Sequence, residues 1–383
     1  MPAIVLNTIS LTHFKNYNES ELEFSPGINC LLGDNGSGKT NVLDAIHYLG
    51  FSKSYFNHVD SQNILHDEEF FILRGNFSCG ESEDEVSCSV RKGQRKILKR
   101  NKKEYEKLAD HIGLLPVVMI SPDDIELVIE GSEVRRRFLD SVISQYSQPY
   151  LHNLMAYNHA LMQRNNLLKN FSRQPRSERQ RYDALEPWDM QLVDLGTTIY
   201  AERKKFVEAF TPTFSSWYQQ LSGGKEVPAL HYESHLNETD FATLLKSCLE
   251  KDLALERTSA GTHKDDLEFL LDGYALKKFG SQGQKKTYLI ALKWAQFGFI
   301  ANAVGKLPIL MLDDIFDKMD EKRTAHLLQL LSHELFGQVF ITDTHRHRVP
   351  HLLNEAGLNF RPFNVQSGMV SEETIPIAVE TES

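Results

Sequence analysis

The sequence predicts an α/β fold of the P-loop type that encloses a mostly helical lobe, and three observations carry that prediction. An alternating apolar stretch at 20–32 enters the run Gly33-Asp34-Asn35-Gly36-Ser37-Gly38-Lys39-Thr40, and a segment of helical pattern leaves it. A continuous apolar stretch at 308–312 ends in Asp313-Asp314. Between these strand-rich ends, from about 125 to 255, the chain is long, charged and mostly helical in pattern. The expected organisation is therefore a discontinuous head, 1–124 and 256–383, with 125–255 inserted as a helical lobe.

The elements follow in order. Residues 3–11 and 20–32 alternate in the strand manner, interrupted at Ser25-Pro26-Gly27. Val42, Ile46 and Leu49 recur at helical spacing after Lys39, and Gly50 suits a helix end. Residues 86–100 read as a basic β-hairpin turning near Lys92-Gly93-Gln94. An apolar strand at 115–120 gives way to Ser121-Pro122-Asp123-Asp124, a composition that caps helix starts. The Arg- and Gln-rich break at 171–181, with Pro175, reads as an exposed loop inside the helical lobe. Strand character returns at 267–276 around a turn at Asp272-Gly273, then a helix at 284–303 and strands at 308–313 and 338–342.

Composition narrows the classes. With 383 residues, 41% hydrophobic and 25% charged, the chain reads as a soluble globular protein with a sizeable core. No apolar run approaches the roughly 20 residues that span a bilayer, so no membrane role is expected. The opening MPAIVLNTIS reads as a first strand rather than a signal peptide. Cys30, Cys79, Cys88 and Cys248 are scattered without a C-x-x-C pair, which argues against a disulfide scaffold or zinc site and fits a cytoplasmic location. A net charge of −10 excludes a generally basic nucleic-acid coat, so contact with DNA must use local patches.

Gly33 to Thr40 satisfies G-x-x-x-x-G-K-[ST]. Its glycines let backbone N–H groups wrap a β-phosphate, Lys39 supplies charge to the β/γ oxygens, and the Thr40 hydroxyl is a Mg²⁺ ligand. The helix N-terminus behind the loop adds partial positive charge. Cofactors ATP and Mg²⁺ follow from this pattern. At the carboxyl end of a buried parallel strand, Asp313 is placed to hold Mg²⁺ and Asp314 to polarise an attacking water. Phe279-Gly280 precede Ser281-Gln282-Gly283-Gln284, a Ser/Gly helix start that forms a second anion site.

The order phosphate loop, S-Q-G-Q, acidic strand resembles the ATP-binding-cassette heads, with S-Q-G-Q similar to their signature motif. Within that superfamily the chain is most similar to the RecF family, bacterial recombination mediators related to SMC heads. The likeness runs over most of the chain. Leu11-Thr12-His13-Phe14-Lys15-Asn16-Tyr17 resembles the entry strand, with Lys15 where arginine is usual. Arg135 to Asp140, Gln163 to Leu168 and Trp188 to Gly196 look like the helical lobe; Gly261 to Leu267 matches a further stretch, with Thr262 replacing the usual proline. Where relatives carry a Q-loop glutamine, this strand reads Val117-Val118-Met119-Ile120, which leaves Ser121 or Asp123 as substitutes.

The resemblance implies a head-to-tail dimer in which Ser281, Gln282, Gly283 and Gln284 of one copy complete the ATP site of the other. It also implies a D-loop at Asp317 to Asp320, with Asp320 at the site, a γ-phosphate sensor at Thr344 or His345, and slow, DNA-stimulated ATP hydrolysis. Further implied are binding to single-stranded, gapped or junction DNA, action with RecO and RecR to load RecA, and support of the SOS response. On the chain itself, DNA contacts are expected from Arg91, Lys92, Arg95, Lys96, Lys99, Arg100, Lys102 and Lys103, with a second basic stretch at Arg135–Arg137, Arg164, Lys169, Arg173, Arg176, Arg179 and Arg181; ion pairs inside the lobe are the alternative for part of Arg135–Arg137. Neither interleaves aromatics, so phosphate-directed binding is expected. The alternatives are another SMC-type repair ATPase, which lacks its long coiled coil here, and a transporter's nucleotide-binding subunit, which the large helical insertion disfavours.

Overall fold

A computed structural model of the chain describes residues 1–173, 177–316, 321–331 and 336–372. Two compact units emerge, Met1–Asp123 with Phe297–Ser383, and Asp124–Gln296. In chain order, the first unit opens with β1 (Ile4–Phe14), β2 (Tyr17–Glu23), β3 (Ile28–Leu32), α1 (Lys39–Phe51), β4 (Phe70–Cys79), β5 (Ser82–Arg91), β6 (Ile97–Arg100), β7 (Lys103–Glu104) and β8 (Val117–Ile120). The second unit holds α2 (Glu126–Ile129), α3 (Ser132–Tyr146), α4 (Gln148–Arg173), α5 (Glu178–Ser222), β9 (Pro228–Glu233), α6 (Phe241–Leu255), β10 (Asp266–Leu271), β11 (Tyr274–Ala275) and α7 (Leu276–Phe279). The unit boundary falls within α8 (Gln282–Val304); β12 (Ile309–Leu312), α9 (Glu321–Leu331), β13 (Val339–Asp343), α10 (Arg348–Glu355), β14 (Phe360–Gln366) and β15 (Met369–Glu372) complete the first unit.

In the first unit, an antiparallel sheet of order β2-β1-β4-β5-β6-β7 accompanies a mostly parallel sheet of order β15-β14-β3-β13-β12-β8. Every residue of β3, β8, β12 and β13 is buried, which is why these strands read as continuous apolar runs. Helix α1 packs with both sheets in one core of aliphatic and aromatic side chains. The sequence suggested one apolar face on this helix; instead every residue from Val42 to Phe51 is buried, because a sheet covers each side. Nor does Gly50 end the helix. Ser52 takes the left-handed cap at φ 52°, and a Cβ on Gly50 would stand 3.0 Å from the Leu115 carbonyl oxygen, so the glycine serves close packing.

The second unit is a helical lobe with strands of its own. Helix α4 runs to Arg173 and α5 resumes at Glu178 behind a capping box of Ser177 and Gln180. The loop expected at 171–181 thus contracts to the segment between them, of which 174–176, including Pro175 and Arg176, lie outside the described residues. Strand β9, within the stretch expected to be helical, pairs antiparallel with β10, so this compact unit takes in 256–296 as well. Buried guanidinium groups tie it together. Arg203 meets Asp140 at 2.8 Å and Asp265 at 2.9 Å, and Arg164 meets Asp189 and Asp252 at 2.6 Å each. Removing one partner of such a pair would strand a buried charge. Cys30, Cys79, Cys88 and Cys248 are free thiols. Among the described residues no helix is long and apolar enough to cross a membrane.

Candidate nucleotide site

The phosphate loop leaves β3 at Gly33 and turns into α1 through left-handed glycines. Gly36 has φ 77° and Gly38 φ 116°, conformations other residues adopt only under strain. A Cβ on Gly38 would lie 2.6 Å from the Asn16 side chain, and one on Gly33 only 2.2 Å from the Val365 carbonyl oxygen. No side chain caps the N-terminus of α1, which leaves its first N–H groups to an anion. The Ser37 hydroxyl is buried and has no hydrogen-bond partner among the described residues. Asp34, Asn35 and Gly36 form the exposed crest.

Lys39 folds back to donate to the carbonyl oxygens of Gly33 at 2.8 Å and Asp34 at 2.9 Å. Burial holds its ammonium below the usual lysine range, against the opposing pull of Asp314, Asp313, Asp343 and Asp34. Thr40 Oγ1 donates to Asp313 Oδ1 at 2.9 Å, joining phosphate loop and acidic strand end across 273 residues of sequence. Burial pushes the Asp313 carboxyl up; hydrogen bonds from Thr342 and Thr40 oppose the shift, and the charge of Asp314 adds to it. Asp314 sits in the left-handed region at φ 50°. These groups fit a nucleoside triphosphate and a divalent cation: a glycine cradle that a Cβ would fill, a buried unbonded hydroxyl, a lysine on exchangeable carbonyls, and a hydroxyl–carboxylate pair.

The remaining expected residues fall in several places. Lys15 puts its ammonium 2.6 Å from Asp44 Oδ2 on α1, and Ser54 Oγ and the Tyr55 N–H also donate to that carboxylate. Ser281 and Gln284 form a capping box on α8: Gln284 N donates to Ser281 Oγ at 3.2 Å and Ser281 N to Gln284 Oε1 at 2.6 Å. Gln284 Nε2 also donates to Glu226 Oε1 at 2.7 Å. Ser281 and Gln282 are exposed and Gly283 is half-buried. Asp320 lies outside the described residues. His345 is 63% exposed, while Thr344 is half-buried with its Oγ1 3.2 Å from His345 Nδ1. Ser121 is buried just past the register pair Leu312–Ile120, beside Asp313, whereas Asp123 is exposed.

Several supporting residues lie outside the motifs. Asn16 Nδ2 donates to the Ser37 carbonyl at 3.1 Å, the Tyr17 hydroxyl to that of Gly38 at 3.0 Å, and the Gly368 N–H to Ser37 O at 3.0 Å. Thr342 bridges Asp313 and Asp314. Arg348 grips Asp343 through Nε at 3.1 Å and Nη2 at 3.0 Å, and the Asp343 carbonyl accepts from Gly33 N at 3.3 Å. Of these, the His13-to-Tyr17 turn carried a sequence signal through the entry-strand resemblance, and Thr342 and Asp343 through their place in the run that ends at the expected sensor, Thr344 or His345.

The basic hairpin divides by geometry. Arg91, Lys92, Arg95, Lys99, Lys102 and Lys103 are exposed. Lys96 instead donates to Ser52 O at 2.6 Å and Asp60 Oδ2 at 2.8 Å, and Arg100 is bidentate to Asp84 at 2.8 Å. In the second stretch Arg135 is bidentate to Asp266, at 2.6 and 2.7 Å, and Arg164 is fully buried.

Comparisons with known proteins identify the family. Residues 5–368 match the family model described as RecF/RecN/SMC N terminal domain. A protein of Flavobacterium johnsoniae named DNA replication and repair protein RecF is 48% identical over 360 residues, 94% of this chain and 99% of its own. One of the same name from Parabacteroides distasonis is 49% identical over 367 residues, 96% of this chain and 99% of its own. A solved structure described as the recombination mediator protein RecF-ATP in the RecFOR pathway superposes with TM-score 0.87 at 29% identity, covering 97% of this chain and 98% of that one. An Smc head domain from Pyrococcus furiosus shares the fold, TM-score 0.57 at 17% identity, covering 98% and 97%. With the glycine cradle, the Thr40–Asp313 contact and near full-length identity of this kind, the chain belongs to the RecF family of DNA replication and repair proteins, within the SMC-type ATP-binding-cassette heads.

Proposed function

We propose that the chain is an ATP-gated DNA clamp of recombinational repair and replication: it closes as a dimer around ATP and Mg²⁺, holds DNA while closed, and reopens on slow hydrolysis. The observation that carries the reading is the Thr40–Asp313 contact, which unites the phosphate loop with the acidic strand end in a member of this family. Bound ATP with Mg²⁺ supplies the group-transfer energy; the chain supplies everything that positions it. Lys39 exchanges the Gly33 and Asp34 carbonyls for phosphate oxygens, and α1 offers its uncapped N–H groups. Thr40 and Asp313 would hold the metal. Asp314 orients the attacking water and takes its proton, and Thr344 or His345 senses the γ-phosphate.

In this reading Ser281 and Gly283 of a second copy close the site, and the exposed cations of the β5–β7 region track DNA phosphates at a gap or single-strand/double-strand junction. Action beside RecO and RecR follows the pathway named for the solved relative; loading of RecA in the cytoplasm and support of the SOS response belong to the same proposal.

Sedimentation of the full chain with ATP, ADP or no nucleotide, with and without gapped DNA, tests the proposal. ATP alone should drive dimerisation and tighten DNA binding. Lys39→Met should abolish both, and Ser281→Arg should keep ATP binding but lose the dimer. A Lys39→Met chain that still dimerises in ATP would sink the clamp.

A further inference from the structure

Tyr274 and Phe279 are 65% and 70% exposed, far more than the aromatic side chains of either unit's core. Their rings meet edge to face, centroids 5.8 Å apart at 68°. Leaving two adjacent aromatics in water forgoes hydrophobic burial, and such pairs mark interaction surfaces more often than isolated apolar side chains do. Their location adds meaning, because Phe279 ends α7 two residues before Ser281.

The ledge is firmly held. Asp272 and Gly273 turn the chain with φ 51° and 80° and deliver Tyr274. Leu276 is buried beneath it. A Cβ on Gly280 would lie 2.6 Å from Leu276 Cδ1 and 2.7 Å from its carbonyl oxygen, so the link from Phe279 to Ser281 is tightly packed. Lys285 Nζ, in the first turn of α8, donates to the Lys277 carbonyl at 3.0 Å. A rigid aromatic anchor loses little entropy when it is covered.

We propose that the Tyr274–Phe279 ledge is the apolar anchor by which a second copy of this chain seats beside the signature. This rests on the reading that Ser281 and Gly283 meet the other copy's nucleotide, and adds an anchor and its chemistry to it. Two features select that occupant. The ledge is continuous with the signature, so a partner reaching Ser281 passes over Phe279. The exposed Lys277 and Lys278 between the two aromatics complement a surface that carries the exposed Asp34 and a triphosphate. Anchors with a charged rim are the usual anatomy of a protein interface. A strand of DNA is the weaker fit, since rings crossed at 68° present no flat platform for successive bases.

The test uses the full chain with Phe279→Ser, Tyr274→Ser, both together, and Met190→Ser as a control at another exposed apolar side chain, 68% exposed on α5. Because the exposed aromatics support no core, folding should be retained, checked by the thermal transition. Fluorescent-nucleotide affinity should stay within about twofold of the parent chain, while ATP-dependent dimerisation weakens at least tenfold in the double variant and not in the control. Parent-like dimerisation of the double variant overturns the ledge and leaves the clamp standing. A parent chain that never dimerises in ATP overturns both. Unchanged dimerisation with weakened DNA binding assigns the ledge to DNA and overturns its assignment to a second copy.

Discussion

Thr342 is hydrogen-bonded to both halves of the acidic strand end: its hydroxyl donates to Asp313 Oδ1 at 2.8 Å and accepts the N–H of Asp314 at 2.8 Å. The side chain is fully buried at the end of β13, next to β12 in the sheet. The second bond holds Asp314 in its left-handed conformation, φ 50°. Thr342→Val keeps the shape and removes both bonds. With charge-assisted hydrogen bonds worth about 1.5–3 kcal/mol, ATP turnover should fall roughly 10- to 100-fold. Nucleotide affinity without Mg²⁺ should hardly change, and Thr342→Ser should restore most of the rate. Equal losses in the Val and Ser variants would mean that packing, not the hydroxyl, matters at this position.

Gly368 braces the phosphate loop from the far end of the sequence. Its N–H donates to Ser37 O at 3.0 Å, φ is 78°, and a Cβ would stand 2.4 Å from the Asn16 carbonyl oxygen. Gly368→Ala must therefore move either the Asn16 turn or residue 368 itself, at a strain cost of about 1–3 kcal/mol. ATP affinity should weaken by about tenfold or more, read by nucleotide titration, while the helical unit's thermal transition stays in place. Unaltered affinity would show that the loop does not depend on this brace.

The cations of the basic hairpin should separate into two behaviours. Replacing Arg91, Lys92 and Arg95 by Gln should weaken DNA binding and flatten its salt dependence, by about 0.7–0.9 in slope for each DNA phosphate that the chain no longer neutralises. Lys96→Gln should leave the slope alone and lower the thermal midpoint, because its ammonium joins Ser52 O and Asp60 at the end of α1. A slope that responds to Lys96 and not to the exposed three would reverse the assignment.

The contrast between Lys96 and its neighbour Arg95 shows where sequence reading stops. Both looked like members of one basic run, yet only a folded sheet decides that Lys96 turns toward α1. The phosphate loop and Asp313-Asp314 were legible because their chemistry is local: a fixed spacing of glycines, and an apolar strand with acids at its end. The bridge from Thr342 to both acids was not, since β13 lies between β3 and β12 in the sheet while it follows both in sequence. Asn16 and Gly368 reach the loop across 21 and about 330 residues, and a lone Asn or Gly carries no pattern. Strand β9 was hidden for a related reason, as its pairing partner β10 lies beyond an intervening helix. In the basic stretch at 135–164, ion pairing within the lobe was the open alternative for part of Arg135–Arg137, and Arg135 indeed pairs with Asp266; the partners of Arg164, Asp189 and Asp252, are too distant in sequence for spacing to name.

His263 makes the helical unit sensitive to acid. Its Nδ1 lies 2.8 Å from the Tyr157 hydroxyl and its Nε2 3.1 Å from the Thr258 carbonyl oxygen, so one neutral tautomer, donating from Nε2 and accepting at Nδ1, satisfies both nitrogens. Burial, with the charges of Lys264 and Arg136 nearby, brings the imidazole down to about 4 from its ordinary 6.5, against the Thr258 hydrogen bond. The unfolded chain therefore binds the proton first as the pH falls. Stability from this group is complete above about 6.5 and is lost progressively toward 4, a difference of about 2.5 pH units at ~1.36 kcal/mol each, or about 3 kcal/mol. Urea midpoints of the full chain, followed by a tryptophan signal between pH 7 and 4, should fall more steeply for the parent than for His263→Gln. The glutamine can offer one donor and one acceptor but does not titrate. Parallel pH profiles for the two proteins would mean that other groups set the acid sensitivity.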